Sequence, residues 1–262
     1  MRISLAWPLF GLLVVAWGCG SDSPSGTGGG GGAAGIAGSG GSAGIGGDGG
    51  AGGLAPAIGC DPLSPSYCGF PYPNDYFTVE DAGTVTGRRL ALPVEVMPID
   101  TLGRRSDPSA FNEMDGFSPG IAAMTHLPGA TTMGLATPDT IGDSLATDSP
   151  TVILNASTGE RVPHWVDRDE WVVEAKKRVD AEESRPDFDI PRTLAELQEE
   201  QALMLRPAVR LDDATRYIVA IRGVLDGSGA PVVPSDGFAA LRDDEPGDEV
   251  IESRREHYEK IF

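Results

Sequence analysis

The chain has 262 residues, and its 20 Lys and Arg against 39 Asp and Glu give a formal net charge of −19. So acidic a chain repels phosphate groups, which argues against nucleic acids and anionic lipid surfaces as direct partners. The charge fits a soluble, self-repelling exterior.

The first 18 residues have the pattern of a secretory signal. Arg2 precedes an apolar stretch from Leu5 to Trp17, which is too short to span a bilayer comfortably. A small residue directly before Cys19 resembles a bacterial lipobox, although Trp17 departs from the small residue usual at its position. We therefore predict a lipoprotein signal peptide over 1–18 and lipidation of Cys19, whose acyl chains would hold the protein at a membrane. An ordinary cleaved signal or an uncleaved anchor is the alternative.

Residues 19–56 are predicted to be a disordered tether. The residue directly after Cys19 is Gly20 and not an aspartate. This resembles bacterial lipoproteins that are sent to the outer membrane of the cell envelope. The segment that follows is nearly all Gly, Ser and Ala, and it cannot bury enough apolar surface to offset its ordering entropy. As a flexible coil of about 35 residues it would reach roughly 30–35 Å.

The two remaining cysteines, Cys60 and Cys68, are predicted to form a disulfide. They are close enough in sequence to close a short loop, and the envelope is an oxidising compartment. A zinc site is the alternative, but two thiols and scattered histidines supply a poor ligand set. We expect no metal ion and no cofactor.

An aromatic, proline-rich segment follows the cysteines. Phe70, Tyr72, Tyr76 and Phe77 are interleaved with prolines that fix an extended path. These rings would cover one edge of a sheet as a clasp at the start of the domain. A groove for a ligand is the alternative use of the same rings.

The segment Gly116–Gly120 matches the G-x-S-x-G pattern of serine hydrolases. That site needs a backbone N–H from the residue after the serine, and Pro119 has none. A triad of Ser118 with Asp148 and His126 or His164 can be written down, but the polar residues before Gly116 are not a buried strand. We predict that Ser118 is a turn residue and that the chain has no catalytic residue. The acidic run 167–170 lacks the ligand spacing of an EF-hand, so we predict a solvated turn there.

Alternating apolar residues predict several strands in the ordered part. The strands are expected at Pro150–Leu154, Arg161–Val166, Ala202–Leu205, Tyr217–Ile221 and Phe238–Leu241, with a hairpin at Asp226–Gly229. Helical spacing predicts a helical insertion over 170–183, followed by a short helix that begins with a Thr193–Glu196 capping box. We therefore expect a mainly β domain, an Ig-like sandwich over 57–245, followed by a C-terminal helix over 246–262. That helix ends on Ile261 and Phe262 without a cap, which suggests that the chain is the front part of a longer protein.

Two resemblances refine this expectation. The pattern from Leu205 and Pro207 through Tyr217-x-Val219-x-Ile221 to the Asp226–Gly229 turn resembles bacterial Ig-like domains of cell-surface proteins. The segments Phe70–Asp75 and Asp115–Ser118, with the same strand pair, resemble the N-terminal domain of bacterial virulence-factor lipases. In that family the domain precedes an α/β-hydrolase domain that carries the catalytic serine, so no catalytic residue of the family falls on this chain.

Two functions are compatible with these patterns. The first is a membrane-tethered, non-catalytic β-sandwich module that serves a structural or binding role toward a neighbouring domain or a surface ligand. The second is the N-terminal part of a lipase-like or esterase-like hydrolase whose catalytic domain lies elsewhere. A stand-alone enzyme that uses Ser118 is a third, less favoured, possibility, and a ligand-binding lipoprotein that uses the aromatic segment is a fourth.

Overall fold

The computed structural model describes residues 60–61, 63–64, 68–100, 102–181 and 192–262, and the backbone of 13–18. The predicted lipidation residue Cys19 and the predicted tether 19–56 lie outside the described residues. Among those described, no helix combines the length and the apolar character needed to cross a bilayer.

In the described part of the chain, eight strands form three antiparallel sheets. They are β1 (Leu13–Gly18), β2 (Thr78–Glu80), β3 (Arg88–Leu90), β4 (Ala123–Thr125), β5 (Thr151–Asn155), β6 (His164–Arg168), β7 (Leu203–Pro207) and β8 (Arg216–Ile221). The strand orders are β1-β8-β5 in one sheet and β4-β7-β6 in another, and β2 and β3 form a two-stranded hairpin. The expected antiparallel β architecture with few helices is confirmed, while the Ig-like topology stays a prediction.

Strand alternation places one face of each three-stranded sheet in a common core. Tyr217, Val219 and Ile221 of β8 are buried, and Val219 lies opposite the fully buried Ile153 of β5. In the other sheet, Leu205 of β7 lies between Ala123 and Val166, and all three are buried. The side chains of both sheets belong to one hydrophobic cluster. The apolar faces predicted from residue alternation are thus the faces that pack.

The turn chemistry predicted at residues 226–229 is confirmed. The backbone N–H of Asp226 donates to the carbonyl of Ala230 at 2.8 Å, and the Asp226 side chain accepts from the N–H of Ser228. Gly229 has a φ of +83°, a region in which glycine is unstrained. The turn of the hairpin therefore lies at the residues where Asp226 and Gly229 predict it.

The helical insertion lies between β6 and β7 and comprises α1 (Trp171–Asp180) and α2 (Leu194–Glu199). The predicted capping box is present, with Thr193 and Glu196 each accepting from the other's backbone N–H. The first residue of α1, Trp171, is 70% exposed, whereas Val173 is buried. The part of the predicted helix beyond residue 181 lies outside the described residues.

The last predicted strand, Phe238–Leu241, is wrong, because these residues belong to helix α3 (Asp236–Arg242). The Ser235 side chain caps this helix by accepting from the N–H of Phe238. Phe238 and Leu241 are three residues apart, so one helix face buries both of them. A short apolar run fits a strand or a helix equally well by periodicity, and the cap decides in favour of the helix.

The C-terminal helix α4 (Glu249–Glu259) confirms the helix expected there. It begins at Asp248, whose side chain accepts from the N–H of Ile251. Ile251 and Tyr258 lie two turns apart on one face, and both are part of the hydrophobic core. The helix therefore packs on the same core as the sheets.

Candidate functional site

A polar cleft lies where the start of β8, the end of α4 and the β2–β3 hairpin meet, and its volume is about 320 Å³. The residues that line it come from distant parts of the chain: Asp75, Thr78, Thr86, Arg88, Asp115, Gly116, Phe117, Ala214, Thr215, Arg216 and His257. Cationic and anionic side chains both face it, so it is a site for polar contacts.

Asp75 and His257 form the central pair of the cleft. Nε2 of His257 lies 3.0 Å from Oδ2 of Asp75, and Nη2 of Arg216 lies 3.7 Å from the same oxygen. Burial opposes ionisation of Asp75, but the hydrogen bond from His257 and the charges of His257, Arg216 and Arg254 outweigh it and lower its pKa below the ordinary value. The carboxylate of Asp75 thus holds the imidazole of His257 in the lining of the cleft.

The opposite wall of the cleft is held by hydrogen bonds between the β2–β3 hairpin and the loop after it. Nε of Arg88 donates to the Thr78 hydroxyl at 2.7 Å, and the Thr86 hydroxyl donates to the backbone carbonyl of Asp115. Among the described residues, Arg88 makes no ion pair. Its guanidinium is therefore a cation on this wall that has no carboxylate partner there.

Behind the cleft lies a buried ion pair between Asp61 and Arg254. Nη1 of Arg254 lies 2.5 Å from Oδ1 of Asp61, and both side chains are almost wholly excluded from solvent. Asp61 also accepts from the backbone N–H of Leu63 at 2.9 Å and from the side-chain amide of Asn74 at 2.5 Å. All three partners donate hydrogen bonds, and an ionised carboxylate only accepts them. The site therefore suits the ionised form of Asp61.

The protein surroundings disfavour the negative charge of Asp61 and favour the positive charge of Arg254. Burial raises the pKa of Asp61, against the charge of Arg254 and the hydrogen bonds from Leu63, Arg254 and Asn74. For Arg254, desolvation opposes the charge, but nearby Tyr258 and the carboxylates outweigh it and raise the pKa. The guanidinium also lies over the ring of Tyr76 at 4.7 Å and that of Tyr258 at 5.1 Å. We take the pair as ionised because cation–π contact and three donors favour that state.

Asn74 connects this buried pair to the cleft. Its amide nitrogen donates to Asp61, while its side-chain oxygen accepts from the N–H of Tyr76 and caps the short 3₁₀ turn Asp75–Phe77. The position of Asp75 in the cleft is therefore fixed from behind. No sequence signal marked the pair of Asp61 and Arg254, since the two residues are 193 apart and neither lies in a recognisable motif.

The predicted disulfide between Cys60 and Cys68 is confirmed. The aromatic segment after it packs inward: Phe77 is fully buried, and the ring of Tyr72 meets that of Phe117 edge-on at a centroid distance of 5.3 Å. Tyr72 and Tyr76 are partly buried against the core. These contacts favour the clasp over the ligand groove as the role of the segment.

Ser118 lies in an exposed turn, where its hydroxyl oxygen accepts from the N–H of Gly120 at 3.4 Å. His164 is fully buried, and its two ring nitrogens lie 2.9 Å from the Thr151 hydroxyl and 2.9 Å from the Val162 carbonyl. Burial lowers the pKa of His164. Nε2 of His126 lies 2.8 Å from the carbonyl of Glu199. Within the described part of the chain, the Ser118 hydroxyl is not hydrogen-bonded to a histidine.

Metal-binding geometry is also absent from the described residues, where no group of three or more His, Cys, Asp or Glu side chains is arranged to hold an ion. The solvated turn predicted at 167–170 is wrong for its first two residues, because Asp167 and Arg168 belong to β6. Asp167 forms an ion pair with Arg206 at 2.8 Å.

No family model matches the chain, and neither a curated protein nor a solved structure shows significant similarity to it. The two resemblances drawn from the sequence motifs therefore remain predictions.

Proposed function

We propose that this protein is a lipoprotein of the bacterial cell envelope, anchored at the outer membrane through an acylated Cys19. It carries a non-catalytic, Ig-like β-sandwich module whose role is structural or binding. The module is held off the membrane by the tether 19–56 and faces a neighbouring domain or a surface ligand.

The observation that carries this proposal is the fastening of the module at the end nearest the predicted tether. Cys60 is covalently joined to Cys68, and Asp61, the next residue, is paired with Arg254 of α4 inside the protein. A force applied through the tether would therefore reach both the start of the module at residues 60–61 and its last helix, α4. Such a fastening would suit a module that holds a position at a surface.

Lipidation is tested by expressing the full-length chain in a bacterium and comparing it with Cys19→Ala. We expect the parent protein in the membrane fraction, with an N-terminal peptide that begins at residue 19 and carries the mass of acyl chains. Cys19→Ala should lose both the acyl mass and the membrane association. The matched control, Cys60→Ala with Cys68→Ala, removes two other cysteines and should keep them. Equal membrane association of the Cys19 variant, with an unchanged N-terminal mass, would overturn the proposal.

A second candidate function is the front part of a lipase-like hydrolase. It is favoured by the cleft, since the two segments that resemble the lipase N-terminal domain meet there. Asp75 belongs to one segment, Asp115 and Phe117 belong to the other, and Phe117 contacts Tyr72. In this case the cleft would be the surface that a catalytic domain covers.

The reading frame separates the two candidates, and an activity assay tests both of them against a stand-alone enzyme that uses Ser118. A strand followed by G-x-S-x-G and a helix, encoded in frame downstream of residue 262, would favour the hydrolase. The chain by itself should hydrolyse p-nitrophenyl esters only at the background rate, and Ser118→Ala should leave that rate unchanged. Hydrolysis above background that Ser118→Ala abolishes would contradict both candidates.

A further inference from the structure

We propose that the free edge of β8 is a strand-binding site of the mature protein. Residues 13–18 occupy it in the precursor, and after their removal it accepts an extended apolar segment of another envelope polypeptide. The inference rests on the proposed cleavage before Cys19, because β1 lies entirely within the predicted signal peptide.

The pairing of β1 with β8 extends over the whole of both strands. It is antiparallel, from Leu13 opposite Ile221 to Gly18 opposite Arg216. The other side of β8 is already paired with β5, in the register that places Ile153 opposite Val219. β8 is thus the central strand while β1 is present, and it becomes an edge strand when residues 1–18 are removed.

The register identifies which backbone groups would be left open. In an antiparallel pair, the N–H and C=O of one residue point to the same neighbour, and alternate residues point to opposite neighbours. The carbonyl of Arg216 accepts from Ala156, and the N–H of Arg222 donates to Pro150, so the even-numbered residues face the β5 side. The N–H and C=O groups of Tyr217, Val219 and Ile221 therefore face β1.

These open groups belong to a rigid strand. The side chains of Tyr217, Val219 and Ile221 are at most 4% exposed, so the core fixes the backbone that would receive a partner. Unpaired edge groups of a fixed strand are a template for another strand, and main-chain hydrogen bonds supply the affinity. The outward side chains Ile218 and Ala220 are apolar and half-buried, which favours an apolar strand beside them.

The segment that occupies the edge indicates the chemistry of the partner. Residues 13–18 read LVVAWG and contain no charged residue. A second copy of this chain is a poorer occupant, because the full chain has a formal charge of −19, the removal of residues 1–18 takes away only the positive Arg2, and two copies joined edge to edge would repel. We therefore commit to an uncharged, extended, apolar segment of a different polypeptide, antiparallel to β8.

The test uses the full chain with a protease site inserted in the tether, so that the folded protein is cut and the N-terminal fragment is then removed by dilution. The probe is a fluorescent peptide of residues 11–20 with Cys19→Ser, whose binding is followed by anisotropy. Two further peptides share its side chains. One is N-methylated at Leu13, Val15 and Trp17, which pair with the open groups of β8. The other is N-methylated at Val14 and Ala16, whose N–H groups point away.

We expect the unmodified peptide and the peptide methylated at Val14 and Ala16 to bind with affinities within about threefold of each other. The peptide methylated at Leu13, Val15 and Trp17 should bind at least about tenfold more weakly, because it loses three main-chain donors. Equal binding of both methylated peptides, or no binding of the unmodified one, would overturn the proposal. A cut protein that sediments as a dimer which the peptide dissociates would replace the foreign polypeptide by a second copy.

Processing is examined separately, by the N-terminal mass of the protein extracted from membranes. A mass that begins at residue 19 supports the availability of the edge in the cell. An intact signal peptide would refute the proposed cleavage and the exposure of the edge, whatever the peptides do. Failure of the peptides with a correctly processed N-terminus would refute only the strand-binding site.

Discussion

The buried ion pair behind the cleft allows a sharp test of what holds the module together. Replacing Arg254 by methionine keeps much of the apolar stem but removes the guanidinium that donates to Asp61 and lies over Tyr76 and Tyr258. Asp61, which is 0% exposed, would keep only the donors of Leu63 and Asn74. Removing one partner of a buried pair costs about 3–5 kcal/mol, because the remaining charge is left uncompensated.

We expect Arg254→Met to lower the free energy of unfolding by about 3–5 kcal/mol. The measurement is urea denaturation followed by tryptophan fluorescence, with Trp165 of β6 as a reporter inside the module. The matched control is Arg255→Met, the same substitution one residue further along α4. Its partners Glu252 and Asp244 lie at the surface, so the loss should be far smaller.

A double-mutant cycle with Asp61→Asn isolates the pair itself. Because Asp61→Asn removes the charge that Arg254→Met leaves unpaired, the double variant should be more stable than the sum of the two losses implies. The expected coupling energy is about 1–3 kcal/mol. A coupling near zero, or equal losses for Arg254→Met and Arg255→Met, would refute the reasoning that this pair fastens α4 to the start of the module.

Three further predictions concern the same module, each measured by urea denaturation. Replacing Cys60 and Cys68 together by alanine should cost about 2.5 kcal/mol, from the closure of a loop with a sequence separation of 8; a loss near zero would contradict this. Because the pKa of Asp75 is lowered in the folded state, its contribution should be full above its unfolded value of about 3.9 and be lost as the pH falls through the folded pKa. Asp75→Asn should therefore be less stable than the parent at pH 7, with a difference that shrinks below about pH 4; a difference independent of pH would refute the assignment. Phe77→Ala, at a fully buried site, should cost about 3–5 kcal/mol, whereas Trp171→Ala, at a 70% exposed site, should change stability by about 0.5 kcal/mol or less; comparable losses would contradict the packing.

The local chemistry of the chain determined much of the architecture. The alternation of Tyr217, Val219 and Ile221 fixed which face of β8 is buried, since successive side chains of a strand point to opposite faces. The aspartate and glycines of 226–229 fixed the hairpin, and Thr193 with Glu196 fixed the start of α2. These features depend on neighbours a few residues away, so the sequence displays them directly.

Only the tertiary structure reveals the cleft and the buried ion pair behind it. Asp75, Arg216 and His257 meet only because β8 and α4 pack on the same core, and the Asp61–Arg254 pair joins residues 193 apart. A charged side chain gives the same local pattern whether it is solvated or paired, so its partner is invisible in sequence. The run Phe238–Leu241 also could not be assigned from the sequence alone, because four apolar residues fit the periodicity of a strand and of a helix. Only the Ser235 cap and packing against the core select the helix.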